Sequence, residues 1–286
     1  MKMRILVTGA SGFIGNKLIQ RFSKLNLDIV IHTRVKPSNI NSKILVLNGE
    51  LSEFSNQIIT FSPNLIYHLA GSSNYPSEIK DEYELWNSNL IYGTTLLRII
   101  KELPDVIFVN FSSSLSYKGE SIFPYNYYAL TKANFIYALD FYTQRTSLRV
   151  FNLILYTVYG QGDRAKRAIN YIIDSLDSSD TILMSPGEQE MDFIYVDDVI
   201  SLCEQLLYIK PIYFREDIHV GTGVGTSLEK VSKIIHKITN KKPNINFGGI
   251  TYRVDEKKQN IAIIKNNRFW KYTISLEEGL AKLFKH

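Results

Sequence analysis

Tyr128 and Lys132 stand four residues apart in Tyr128-Ala129-Leu130-Thr131-Lys132. On a helix of ~3.6 residues per turn, that spacing puts a phenol and an ammonium on one face. A phenol beside a cation can protonate an oxygen that gains charge, because the cation lowers its usual pKa of ~10. Upstream, Phe111-Ser112-Ser113-Ser114 closes an apolar run, so a serine there can hydrogen-bond the same oxygen. Near the start, Thr8-Gly9-Ala10-Ser11-Gly12-Phe13-Ile14-Gly15 lies between a strand pattern and a helix pattern. Glycines let a turn approach a pyrophosphate, and the following helix offers unpaired amides and the positive end of its dipole. Together these residues point to hydride transfer between a nicotinamide and a carbonyl or carbinol. Gly9, Ser11, Gly12, Phe13, Ile14 and Gly15 would hold the dinucleotide.

About twenty residues beyond such a loop, an NAD site places a carboxylate on the ribose hydroxyls. This chain has His32-Thr33-Arg34, with Lys36 beyond. A guanidinium in place of a carboxylate suits a 2′-phosphate, so Arg34 predicts NADPH, with NAD as the alternative.

These residues need a scaffold, and the apolar runs describe one. Arg4-Ile5-Leu6-Val7, Ile29-Val30-Ile31, Ile44 to Leu47, Leu65 to Leu69, Val106 to Val109 and Leu148 to Phe151 read as strands buried on both faces. Helical spacing appears from Gly15 to Leu25, from Leu90 to Ile100 and from Tyr128 to Tyr142. Alternating strands and helices predict an α/β fold, a Rossmann-type doubly wound parallel sheet. After about residue 155 the pattern loosens. Gly160 to Arg164 reads as a loop before a helix with Ile169, Ile172 and Ile173. Asp192 to Leu207 reads as strand then helix, and another helix spans about Ser227 to Ile238. The expected division is a dinucleotide-binding domain over 1–155, joined by 191–220. A smaller C-terminal substrate-binding lobe would occupy most of 156–286.

Of 286 residues, 45% are hydrophobic and 21% charged, with a net charge of +5, which is ordinary for a soluble enzyme. The basic residues are scattered, with no long basic stretch interleaved with aromatics, which argues against a nucleic-acid partner. Cys203 is the one cysteine, so an intrachain disulfide and a cysteine-rich metal site are excluded, and no metal is expected. No apolar run reaches the ~18 residues of a membrane span, and Met1-Lys2-Met3-Arg4 leads at once into a strand rather than a signal peptide. A cytoplasmic location is the expectation.

The chain resembles the extended short-chain dehydrogenases of the NAD-dependent epimerase/dehydratase family, which act on nucleotide sugars. The resemblance runs nearly end to end. It is carried by Thr8 to Gly15, Tyr67 to Gly71, Asn89 with Gly93-Thr94, Ser112 to Gly119 and Tyr128 to Lys132. Later marks are Tyr159-Gly160, Asp192 to Asp198, Val220 to Gly223 and Tyr252 to Glu256. It implies that Ser114, Tyr128 and Lys132 are catalytic and that Asn89 orders the site. It also puts Glu50 and Leu51 beside the adenine, and Leu69, Ala70 and Gly71 along the pyrophosphate and ribose. A homodimer would form through the helices beginning near Asn89 and Tyr128.

The family's sugar 4,6-dehydratases carry an Asp-Glu pair directly after the catalytic hydroxyl residue. Here Leu115-Ser116 stands there, so dehydration is rejected. Two reactions remain: reduction of a nucleotide-diphosphate 4-keto-6-deoxyhexose by NADPH, and C4 epimerisation with bound NAD. Gly160 to Asp163, Gly187 to Phe193 and Phe247 to Arg253 look most like reductases that make CDP-3,6-dideoxyhexoses or related sugars, which favours the first. Arg253 matches the family's diphosphate-binding arginine, and Glu256 the residue that often holds the nucleotide ribose. Met191, Ile154 and Thr157 replace polar residues usual in the family, and Arg164 or Arg167 is the candidate to restore the lost charge on the substrate.

Overall fold

The computed structural model describes residues 2–33, 44–73, 76, 78–165, 167–264 and 270–285. The chain forms two compact units, one of residues 1–154 with 200–218 and one of residues 155–199 with 219–286.

The first unit is built on a central sheet whose strands, numbered in chain order, are β1 (Arg4–Thr8), β2 (Asp28–Thr33), β3 (Leu45–Asn48), β4 (Leu65–His68), β5 (Ile107–Ser113), β6 (Arg149–Leu155) and β7 (Arg215–Val220). Their spatial order is β7-β6-β5-β4-β1-β2-β3, with parallel pairing at β1–β2, β1–β4, β2–β3 and β4–β5. The order reverses at the β1–β4 junction. A doubly wound sheet opens a crevice for a ligand at such a switch point.

Helices α1 (Phe13–Phe22), α2 (Ser55–Phe61), α3 (Ile79–Trp86), α4 (Tyr92–Ile100) and α5 (Tyr127–Thr143) connect these strands. The strands are continuously apolar because both faces are covered. Leu6, Val30, Leu47, Ile66, Phe108 and Val150 pack with Leu96 and Leu97 of α4 and Phe135 and Leu139 of α5. Intervening residues such as Ile5, Val7, Ile31 and Tyr67 are equally buried. The Tyr67 hydroxyl donates to the Cys203 carbonyl at 2.6 Å, and the Cys203 side chain is fully buried.

The structure departs from the periodicity at two places that matter. Strand β5 continues past the apolar run through Asn110 and Ser112 to Ser113. Polar side chains are tolerated there because Asn110 has a partner across the strands, its Nδ2 donating to Asn152 Oδ1 at 2.8 Å. The helix expected from Leu90 begins earlier: α3 runs directly into a π turn over Asn87–Ile91, which α4 continues. The extra residue in that turn accompanies an inward side chain at Asn89.

In the second unit the strand Glu190–Tyr195 pairs with Thr157–Tyr159, Gly225–Ser227 and Gln259–Asn260. Its Asp192 is completely buried and accepts from Thr222 N, Thr222 Oγ1, Gly223 N and Ala262 N at 2.7–3.1 Å. Asp198 accepts from Thr273 N, Thr273 Oγ1 and Ile274 N. These carboxylates bind the unit's own backbone, so both are structural. No helix of the described residues is long and apolar enough to cross a membrane.

Candidate active site

The glycine turn leaves β1 at Thr8. Gly9 has φ +71°, and a Cβ on it would come within 2.5 Å of Ala70 N. A side chain at Gly15 would strike the Gly9 carbonyl. The turn closes with Gly12 N donating to Gly9 O at 3.0 Å, and α1 starts with Gly12 as its N-cap. No cap side chain takes up the first-turn amides of α1, and no acid lies in that turn. Ser11 and Gly12 are exposed, Phe13 and Ile14 half-buried. A tight glycine turn below uncapped amides can take a phosphate.

The exit of β4 runs beside this turn. Leu69 N donates to Thr8 O, and Ala70 N to Thr8 Oγ1 at 3.2 Å. Thr8 Oγ1 also shares a hydrogen bond with His68 Nδ1 at 2.9 Å. Burial, assisted by the Lys132 charge, pushes the His68 imidazole down to about 3. His68 is therefore neutral near pH 7, stacked on Tyr92, and acts as a spacer rather than an acid.

Asn89 is 1% exposed and joins this exit to α5. Its Nδ2 donates to Ser72 O at 3.0 Å and Thr131 Oγ1 at 2.9 Å, while its Oδ1 accepts from Ser72 N at 2.8 Å. A Cβ on Gly71 would meet Asn89 Oδ1 at 2.7 Å and Lys132 Nζ at 3.3 Å. Gly71 is thus the point where the β4 exit touches the lysine of α5.

Helix α5 begins at an N-cap, Asn126, whose Oδ1 accepts from Ala129 N at 2.8 Å. This places Tyr128 in the first turn, half-buried, with Lys132 one turn further on the same face. Lys132 Nζ donates to the Phe111 carbonyl of β5 at 2.9 Å. Its burial lowers the ammonium pKa to about 8. Past β5, Ser114 opens a tight turn over Ser114–Ser116 and is 2% exposed. Ser114, Tyr128 and Lys132 thus come from the end of one strand and the first turns of the helix anchored to it.

Leu51 is buried and belongs to the same core cluster as Leu47, while Glu50 is exposed and immediately precedes the turn Leu51–Phe54 without a capping side-chain bond. The expectation for Arg34 lies outside the described residues, which end at Thr33 on that side. In the second unit, Gly187 packs so tightly that a Cβ would meet the Phe247 ring at 2.7 Å, and Glu188 N donates to Tyr252 OH at 3.1 Å. Two strings distant in sequence therefore meet. Arg253 is exposed and lies next to Glu256, a half-buried carboxyl that burial pushes up against the lowering charges of Arg253 and Lys258. Arg167 Nη1 donates to Val158 O at 2.6 Å and lies 3.3 Å from Asp163 Oδ2.

The model of the NAD dependent epimerase/dehydratase family matches residues 5–210. The chain belongs to that family. The CDP-abequose synthase of Salmonella muenchen is 30% identical over 293 residues, spanning 98% of this chain and 96% of the relative. That of Yersinia pseudotuberculosis is 28% identical, spanning 89% and 90%. Among solved structures, the UDP-glucuronic acid 4-epimerase of Bacillus cereus, in complex with UDP-glucuronic acid and NAD, superposes with a TM-score of 0.86. It is 25% identical and covers 97% of this chain and 96% of that one.

The epimerase/dehydratase family implies a nicotinamide dinucleotide, and the turn fits one because Gly9 and Gly15, where a Cβ would strike backbone, keep it tight beside the uncapped first-turn amides of α1. The same family member carries a buried polar ladder that sequence reasoning missed. Asn152, fully buried on β6, donates to Tyr117 OH and Asp217 Oδ1, both at 2.9 Å, and accepts from Asn110. Arg215 pairs with Asp217 at 3.0 Å and with Asp140 of α5. The available signal was an asparagine inside each of two otherwise apolar strands. No group of three or more metal-binding side chains occurs among the described residues.

Proposed function

We propose that the chain reduces the C4 keto group of a nucleotide-diphosphate 4-keto-6-deoxyhexose or 3,6-dideoxyhexose with NADPH, in deoxysugar biosynthesis for a surface polysaccharide such as an O-antigen. The observation that carries this reading is the end-to-end likeness to CDP-abequose synthases, joined to the Tyr128–Lys132 face of α5. NADPH would supply the hydride. Gly9, Ser11, Gly12, Phe13, Ile14, Gly15, Leu69, Ala70 and Gly71 would hold its pyrophosphate and ribose, Glu50 and Leu51 its adenine, and Arg34 its 2′-phosphate.

Tyr128 donates its phenolic proton to the sugar O4 as C4 receives the hydride, so ketone plus hydride plus proton gives the carbinol. Ser114 donates a hydrogen bond to the same oxygen. Lys132, held on the Phe111 carbonyl, keeps positive charge near the phenol as it ionises. Arg253, Glu256 and Arg167 are assigned to the substrate, which makes the second unit the substrate-binding lobe and the first the dinucleotide-binding domain. The absence of any acid at Leu115-Ser116 argues against dehydration.

A second copy of the chain is the partner we assign. Leu130, Tyr137 and Phe141 form an exposed apolar stripe along α5, and Ile91, the last residue of the π turn before α4, is exposed as well. We place the enzyme in the cytoplasm, where such sugar nucleotides are made.

The deciding assay follows absorbance at 340 nm with NADPH, and separately NADH, against CDP-, dTDP-, GDP- and UDP-4-keto-6-deoxyhexoses. Stoichiometric NADPH oxidation with one of them is the expected result. C4 epimerisation with bound NAD is the second reading, favoured by the likeness to the Bacillus cereus epimerase. Conversion of a sugar nucleotide without net cofactor use would establish it instead.

A further inference from the structure

Ser116 occupies the position where the family's dehydratases carry the second acid, yet its side chain turns away from any role in proton removal. It is completely buried, and its Oγ donates to the Ala129 carbonyl at 3.0 Å. Ala129 directly follows Tyr128, and Ser116 lies in the same tight turn as Ser114. One hydroxyl therefore links the turn that carries the serine to the helical turn that carries the tyrosine. Two backbone bonds run parallel to it, Tyr125 N to Leu115 O at 3.0 Å and Phe123 N to Ser116 O at 2.8 Å. On its other side the turn is followed at once by Tyr117, whose hydroxyl accepts from Asn152 on β6.

We propose that Ser116 is a positioning residue that fixes the spacing between the Ser114 and Tyr128 hydroxyls, a role that rests on reading these two as the pair acting on O4. Proton transfer is steep in distance, and a displacement of ~1 Å at a reacting group can cost ~100-fold in rate. Replacing Ser116 by alanine removes the strut without leaving a buried acceptor unpaired, since the Ala129 carbonyl keeps its place in the helical ladder. The turn then loses the side-chain tie from Ser116 to α5.

The test compares wild type, S116A and S116T with the keto sugar that wild type reduces. S116A is expected to lose roughly 10-fold in kcat. Its KM for the sugar, its Kd for NADPH and its melting temperature should stay near wild type, and S116T, which restores a hydroxyl, should regain the rate. Unchanged kcat in S116A would overturn the proposal, as would a loss shared by KM and Kd or one that S116T leaves in place. If wild type reduces none of the sugars, the functional reading fails by itself. Ser116 is then judged by ultraviolet titration of the Tyr128 phenol, isolated by difference from Tyr128→Phe. A midpoint displaced in S116A and restored in S116T supports the strut, and identical midpoints refute it.

Discussion

Lys132 Nζ donates to the Phe111 carbonyl at 2.9 Å, so the lysine of α5 rests on the strand that leads to Ser114. This bond ties the helix bearing Tyr128 to the strand end bearing its serine, and it fixes where the positive charge stands. Elimination of that charge and elimination of the phenol should therefore have separable effects.

Tyr128→Phe removes the proton donor and little else. Turnover should fall by about 100-fold to 10,000-fold, the usual contribution of a general acid, while NADPH binding measured by fluorescence stays within about twofold. Retained turnover would mean that another group protonates O4.

Lys132 carries a pH signature in stability. Burial lowers its pKa to about 8 from the ordinary 10.5, so the unfolded chain holds the proton more tightly than the folded one. The ammonium opposes folding in full below about pH 8, and the opposition fades as pH rises towards 10.5. Wild type should accordingly gain up to about 3 kcal/mol relative to Lys132→Met across that interval. Urea midpoints of both proteins from pH 7 to 10.5 read this slope, and a flat or falling difference contradicts it.

Asn152 is the centre of the polar ladder. Asn152→Ala removes the acceptor of the buried Asn110 amide and a donor to the Tyr117 hydroxyl and to half-buried Asp217. A loss of about 1–3 kcal/mol is expected from the unpaired buried amide. Equilibrium unfolding gives the value directly. A change below about 1 kcal/mol would show that the ladder is not holding these strands.

The α5 stripe makes a prediction about assembly. Tyr137 is 58% exposed and Phe141 53%, which is costly in a lone molecule unless a partner covers them. Tyr137→Glu should convert a dimer to a monomer by sedimentation velocity without lowering the melting temperature of the monomer. A wild-type protein that sediments as a monomer would remove the stripe's assigned partner.

What the sequence made legible was whatever is local. The glycine triplet of 9, 12 and 15, the strand runs and the four-residue spacing of Tyr128 and Lys132 each depend on a few neighbouring residues. Their structural placement follows from periodicity and turn chemistry alone. The π turn at Asn87–Ile91 was not legible, because its cause is a contact between Asn89 and two segments distant in sequence, at Ser72 and Thr131. The Asn110–Asn152 pair was equally hidden: each asparagine alone looks like a flaw in an apolar strand, and only pairing makes it sensible. Arg167 shows a different limit. Its bonds to Val158 and Asp163 leave no mark in composition, because they depend on how the chain folds back before its own helix.

Asp192 gathers three stretches of chain, near 192, 222 and 262, onto one carboxylate. Such a knot separates the duties of the second unit. The spans between its tethers can lengthen, shorten or change chemistry without loosening what they are tied to. Variation in those spans would leave the ends on this carboxylate in place, and Asp198 holds the stretch near 273 in the same way.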